Sequence, residues 1–250
     1  MRELSELTDV EEPAWPLLAK ALDASGVSME VLPVDPALGR ASLLQLQVTA
    51  RSWLGGMVLN CGGVVLDSGW VRIYGSPAED ASAGLPGGST DLPSLAEVNG
   101  FPERFDPAWR PQDGGLVVGH DVLGGVFVLN GADPESVGRP GHPGEIVYFA
   151  PDSLKWEALE VGHGAWLQWL LSEGTDQFYD TLRWPGWRAE SGALTGAQGL
   201  SVVPFLWSAE ARRDLMSTSR RPVPLAELLD LHREFGLKLD KIDPGFLGDL

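Results

Sequence analysis

Few side chains in this sequence stand where chemistry could be done. His120 is followed directly by Asp121, an imidazole beside a carboxylate, the pairing that general acid/base catalysis and pH switches both use. An adjacent carboxylate favours the imidazolium, so the pair reads as a titrating switch. Trp70, Arg72 and Tyr74 are spaced by two, so a strand would present all three from one face. Trp156, Trp184 and Trp187 add flat apolar surface. An indole beside a guanidinium such as Arg72 or Arg188 joins that surface to a charge, a frequent composition for a partner-binding anchor. Convergence of Trp70, Arg72, His120 and Asp121 would make a hydrolase-like small-molecule site. Against it stand plainer roles: tryptophans filling a core, and Asp67, Asp121 and Asp152 capping turns through their own side chains.

Other chemistries lack the residues they need. There is no Gly-Lys-Ser/Thr to cradle nucleotide phosphates, no Gly-x-Ser-x-Gly nucleophile elbow and no His-Glu-x-x-His. Gly162-His163-Gly164 has Leu167 where a dinucleotide fingerprint requires its third glycine. His120, His142, His163 and His232 are too scattered for helical or hairpin ligand spacing. With one cysteine, Cys61, neither a disulfide nor a cysteine metal cluster is expected, and no cofactor is implied. Cys61 lies in an apolar run and reads as a buried structural thiol.

The elements that must position these residues centre on 58–77, where two Val/Leu/Ile-rich arms flank Asp67-Ser68-Gly69, the composition of a β-hairpin. The second arm should turn Val71 and Ile73 to the core and the Trp70-Arg72-Tyr74 row to a working surface. Upstream, 13–22 reads as a short amphipathic helix, 27–34 as a half-buried strand and 36–48 as a second helix. Residues 78–93, rich in Gly, Ser, Pro and acid, read as a long mobile loop. Ser94 and Glu97 carry the spacing of a capping box, predicting a short helix that ends near Asn99-Gly100. Strands are predicted at 116–118, 124–130, 145–150 and 154–159, linked by turns alone, which implies an antiparallel meander. Trp166, Leu167, Trp169, Leu170 and Leu171 form a helical stripe that would lie across the sheet. Beyond it come short helices and turns, then a last helix started by Pro222 and Pro224 and ended by Gly236, and a loosely held acidic stretch to Leu250. The predicted class is therefore α+β: a largely antiparallel, mixed sheet of about five to seven strands, helices packed on one face, and a helical carboxy-terminal extension. A sheet domain at 1–175 and an aromatic, proline-rich extension at 176–250 packed on it form one continuous unit.

A chain of 250 residues with 44% hydrophobic and 21% charged residues has the composition of an ordinary globular protein. No apolar run approaches the roughly 18 to 20 residues of a membrane span, and the first residues are acidic where a signal peptide is basic, so a cytoplasmic protein is expected. Net charge is −17, with 18 basic and 35 acidic side chains. Residues 201–250 carry seven basic and eight acidic residues, leaving 11 and 27, or −16, on the first 200. Such a surface repels nucleic acid and anionic membranes and favours a basic protein partner.

Four ordered motifs resemble a known family. They are Gly62-Gly63-Val64-Val65-Leu66-Asp67-Ser68-Gly69-Trp70-Val71-Arg72, Asp121-Val122-Leu123-Gly124-Gly125-Val126-Phe127, Val147-Tyr148-Phe149-Ala150-Pro151-Asp152-Ser153-Leu154-Lys155-Trp156 and Arg183-Trp184-Pro185-Gly186-Trp187. Together they resemble a bacterial domain-of-unknown-function family, DUF2625. More distantly, their order is similar to the SUKH superfamily, which includes the yeast cell-wall regulator Knr4/Smi1 and bacterial immunity proteins. That likeness implies a mixed α+β protein-binding module, a toxin-like partner, and Trp70, Asp121 and Trp156 in the framework near a binding groove. The leading expectation is thus a non-catalytic binding module of immunity or regulatory type with an acidic, aromatic-lined face. The hydrolase-like enzyme and a scaffold or dimerisation domain are the alternatives.

Overall fold

The computed structural model describes residues 1–78, 91–172 and 174–250. In it, the runs of Val, Ile, Leu and aromatic residues pair into a seven-stranded sheet. Its strands are β1 (Met29–Leu32), β2 (Gly63–Leu66), β3 (Val71–Tyr74), β4 (Gly115–Asp121), β5 (Val126–Asn130), β6 (Glu145–Ala150) and β7 (Lys155–Gly162). Spatial order equals sequence order and every pairing is antiparallel: short turns join β2 to β3, β4 to β5 and β6 to β7, while β1 reaches β2 through α3 and α4 at 36–60, and β3 reaches β4 through 75–114. This is the α+β meander that the sequence predicts. The hairpin turn between β2 and β3 places Asp67, Ser68 and Gly69 at φ of 51°, 58° and 82°. Asp, Ser and Gly are suited to it, since a short polar side chain or none tolerates the left-handed region.

The helices among the described residues are α1 (Leu4–Thr8), α2 (Trp15–Ala24), α3 (Pro36–Leu46), α4 (Trp53–Asn60), α5 (Leu95–Val98), α6 (His163–Leu171), α7 (Gly174–Phe178), α8 (Trp187–Ser191), α9 (Ala209–Arg213) and α10 (Leu225–Leu239). Several begin where a side chain satisfies free amides: Asp35 for α3, Ser52 for α4, and Ser94 with Glu97 in a complete capping box for α5. The first arm of the hairpin is shorter than predicted, because Val58 to Asn60 close α4 and the chain turns extended at Cys61. Of the predicted loop at 78–93, residues 79–90 lie outside the described residues.

The carboxy-terminal part departs most from expectation. Pro224 caps the last helix as expected, since α10 begins at Leu225, but Pro222 belongs to a strand that the sequence did not signal. Both lie in β9 (Ser219–Pro224), which pairs with β8 (Gln198–Val203) as a two-stranded ribbon. Pro222 faces Leu200, whose amide turns away to the Val122 carbonyl at 2.6 Å, so this position asks no ladder donor of the proline. α10 runs through Gly236 to Leu239, and the acidic stretch beyond it is packed, with Phe246 and Leu247 buried.

Both faces of the sheet are covered. Opposed residues share a face, so Val71, Asp121, Gly119, Phe127 and Tyr148 belong to one side. Against this side lies α6, where Trp166 meets Phe127 at 5.2 Å between ring centroids, and α2 and α4 pack against α6. Arg72, His120, Val126, Phe149 and Trp156 form a continuous row on the other side. Over this row lie α10, through His232 at 6.4 Å from Phe149, the β8 end at Gln198, and residues 244–248.

Candidate functional site

The structure separates the sequence-predicted site residues into two groups and buries nearly all of them. Arg72, Tyr74, His120 and Trp156 share the side covered by the carboxy-terminal segment. His120 and Asp121 are neighbours in β4, so their side chains leave opposite faces and make no titrating pair. The imidazole is fully buried. Its Nε2 lies 3.0 Å from the Leu247 carbonyl and its Nδ1 2.5 Å from the Tyr74 hydroxyl. A carbonyl only accepts, so Nε2 carries the proton and Tyr74 donates to Nδ1. Burial pushes the imidazole down to about 3, which corrects the expected imidazolium. Arg72 is buried beside it and donates to the Gln198 carbonyl at 2.5 Å. Burial lowers its guanidinium to about 10, with the charges of Tyr74 and Asp121 opposing that shift.

Asp121 closes β4 as a polar knot on the other side. Its Oδ1 accepts from the Leu123 and Gly125 amides at 2.8 and 2.9 Å, and its Oδ2 from the Tyr148 and Tyr179 hydroxyls at 2.6 and 3.0 Å. Burial still raises the carboxyl above its ordinary range, against those four bonds. Gly125 is required here, because a Cβ would stand 2.1 Å from Asp121 Oδ2 and 2.3 Å from the Tyr148 hydroxyl. His120 and Asp121 are both sealed from solvent. A substrate reaching them would have to displace the packing that holds them, so the hydrolase-like constellation of Trp70, Arg72, His120 and Asp121 does not form an open site.

Trp70, Trp184 and Trp187 do come together, around a residue that sequence reasoning passed over as a functional group. Trp70 stands 5.7 Å from Trp184, 5.0 Å from Trp187 and 5.6 Å from Tyr179. The Arg183 guanidinium lies among these rings, 3.9 Å from the Trp187 centroid and 5.0 Å from that of Trp70. It pairs with Asp67 at 2.5 Å and with Asp176 at 2.8 Å, leaving only 7% of its side chain exposed. Arg188 covers Trp187 at 4.3 Å but stays 59% exposed, with a loose 3.6 Å contact to Asp67. Trp184 donates to Glu190 at 2.8 Å, and Ser191 to the Ser68 carbonyl at 2.9 Å, so residues 183–191 clasp the hairpin turn. The flag in the sequence was the run Arg183-Trp184-Pro185-Gly186-Trp187-Arg188, two basic residues bracketing a Trp-x-x-Trp.

Outside this buried cluster is an open cavity of about 490 Å³ whose lining includes Asp176, Asp180, Arg183, Trp187 and Arg188. A second, of about 510 Å³, lies on the other flank of residues 174–182 and includes Asp152, Glu157, Trp169 and Phe178. Burial, then the neighbouring charge of Asp152, raises the Glu157 carboxyl. Both set carboxylates against aromatic walls; in the first Arg183 and Arg188 stand beside Asp176 and Asp180, while the second has Asp152 and Glu157 with no basic residue among the described residues of its lining, which suits a cationic side chain. No group of three or more His, Cys, Asp or Glu is placed to hold a metal among the described residues. No helix among them is long and apolar enough to cross a membrane.

Residues 4–228 match the family described as "Protein of unknown function DUF2625". The chain is 36% identical over 233 residues to "Putative uncharacterized protein YbfG" of Escherichia coli (strain K12), covering 92% of this chain and 95% of that protein. It is 30% identical over 207 residues to an uncharacterized protein of Haemophilus influenzae, covering 82% of this chain and 83% of that one. No solved structure matches significantly. Matched over nearly its whole length, this chain belongs to the DUF2625 family.

Proposed function

We propose that this protein is a non-catalytic protein-binding module of immunity or regulatory type, acting in the cytoplasm on a basic, toxin-like partner. The observation that carries the reading is the pair of open cavities flanking residues 174–182, each with carboxylates set against aromatic walls, on a chain of net charge −17. Asp176 keeps 65% of its side chain exposed although it pairs with Arg183, so it can meet an incoming cation without breaking the buried Arg183–Asp67 pair. The resemblance to immunity proteins supports the same class of partner. In this reading Trp70, Trp184 and Trp187 act as the rigid backing of the cleft, with Trp187 and Arg188 at its wall, and Arg72, Tyr74, His120 and Asp121 hold the sheet that carries it.

Electrostatic steering makes such binding sensitive to salt. Tagged protein should retain a single basic protein from native lysate at low salt and release it near physiological salt. An Asp176→Lys/Asp180→Lys variant should retain none of it. Identical retention by the variant would refute the cleft as the binding surface.

A further inference from the structure

Residues 240–250 contain neither helix nor strand, yet four of their backbone groups are met individually by the sheet side that carries Tyr74, His120 and Trp156 and by its flank. Trp156 Nε1 donates to the Pro244 carbonyl at 2.9 Å, and His120 Nε2 to the Leu247 carbonyl at 3.0 Å. In return the Phe246 amide donates to Asp113 Oδ2 at 2.7 Å and the Asp249 amide to the Val98 carbonyl at 2.9 Å. Between these contacts the Phe246 and Leu247 side chains are buried. Gly245 and Gly248 take φ of 77° and 113° at the closest approaches. A Cβ would stand 2.7 Å from Asp113 Oδ2 at the first, and 2.9 Å from Val98 Cγ1 and 3.4 Å from His120 Cε1 at the second. Fixed groups that bond individual backbone atoms, with buried places for chosen side chains, are how proteins hold peptides. The four reading groups belong to separate elements outside the strap: β7, β4, the turn before β4 and α5.

We propose that this side of the sheet is a peptide-binding groove, that residues 240–250 are its resident ligand in cis, and that the same segment of a second copy of this chain can take their place. Little fastens the strap at its start beyond the exposed pairs Lys155–Asp240 at 3.3 Å and Arg233–Asp243 at 3.1 Å, a kind that adds little stability. Lifting it from Lys241 onward breaks no helical or ladder hydrogen bond, since the last helical bond runs from the Asp240 amide to the Gly236 carbonyl. His120 then meets water. The charged and titratable groups facing it are Arg72 and Tyr74 from β3, while the strap presents the Leu247 carbonyl. With the strap seated, burial holds the imidazole near 3, and in the open groove it returns towards its ordinary range. Protons therefore bind the open state preferentially, and the strap is held less firmly as pH falls below about 6.5. The groove shares no residue with the acidic cleft, so failure of either proposal leaves the other standing.

The test uses the full chain with Phe246→Ala and Leu247→Ala, titrated calorimetrically with a synthetic peptide of residues 240–250. The peptide should bind this variant at least about tenfold more tightly than the unmodified chain, whose own strap competes. Gly248→Ala in the peptide should weaken binding by about tenfold or more, since it sets a methyl group against Val98. A folded variant that ignores the peptide, or that binds the Gly248→Ala peptide equally well, overturns the proposal. If the variant does not fold, hydrogen exchange on the unmodified protein decides. Phe246 and Asp249 amides exchanging about a hundredfold or more faster than that of Val128 in β5 support local release, and exchange at the Val128 rate overturns it.

Discussion

At the scale of single residues, the difference between a reactive group and a structural one is what surrounds it. Asp121 looked like half of an acid/base pair and is instead the acceptor for two amides and two tyrosines in a closed interior. Asp121→Ala would leave four donors unsatisfied, a loss that outweighs relief from burying a carboxylate, and should lower stability by about 3 kcal/mol in urea titrations. Asp121→Asn keeps one acceptor oxygen for the two amides and should cost less, about 1 kcal/mol. A loss below about 1 kcal/mol for the alanine variant would show that the knot does not hold the sheet. Arg183 makes the complementary point. Its charge is tolerated inside because Asp67 and Asp176 pair it and three aromatic rings face it.

At the scale of elements, local signals held wherever one element could be formed by its own neighbours. The capping box at Ser94 and Glu97 starts α5 where its spacing predicts, with the Ser94 hydroxyl accepting from the Glu97 amide at 3.2 Å and the Ser94 amide donating to the Glu97 carboxylate at 2.7 Å. Ser94→Ala should cost about 1 kcal/mol in thermal or urea unfolding, and no measurable change would mean α5 is held by packing alone. The ribbon of β8 and β9 gave no such signal. Pro222 and Pro224 are common at helix starts, and only the distant Val122 carbonyl, accepting from Leu200, makes a proline acceptable in that strand.

At the scale of the whole molecule, three buried neutral histidines dominate the acid side of the stability curve. Burial pushes His120 down to about 3, and His163 and His232 each to about 4. A histidine whose folded value lies below its unfolded value stabilises the fold above that unfolded value, about 6.5, and loses this as pH falls towards the folded one. Asp121 works in the opposite direction, because its raised carboxyl favours the folded state as acid is added. Taken alone, the three histidines withdraw about 6 kcal/mol between pH 8 and pH 5, and Asp121 opposes them. Urea midpoints of an Asp121→Asn variant, which removes the opposing carboxyl, should fall steadily below pH 6.5, and a flat profile there would mean the histidines are reached by water in the folded protein.

Alternation of period two, turn residues and helix caps are properties of short stretches, so the meander from β4 to β7, the hairpin turn and α5 were legible in the sequence alone, while the pairings of β1 with β2 and of β3 with β4, reached across helices, were not. The net charge of −17 was legible too. Alternation also implied that Trp70, Arg72 and Tyr74 leave one face of their strand. What covers that side was not legible, because it depends on residues 198, 232 and 244–248 returning across more than 80 positions of chain. Periodicity reports that a strand has two faces and is silent about which of them meets water. Burial belongs to tertiary packing, and here packing turned an expected working surface into a groove filled by the chain's own segment, and left the open chemistry beside Arg183.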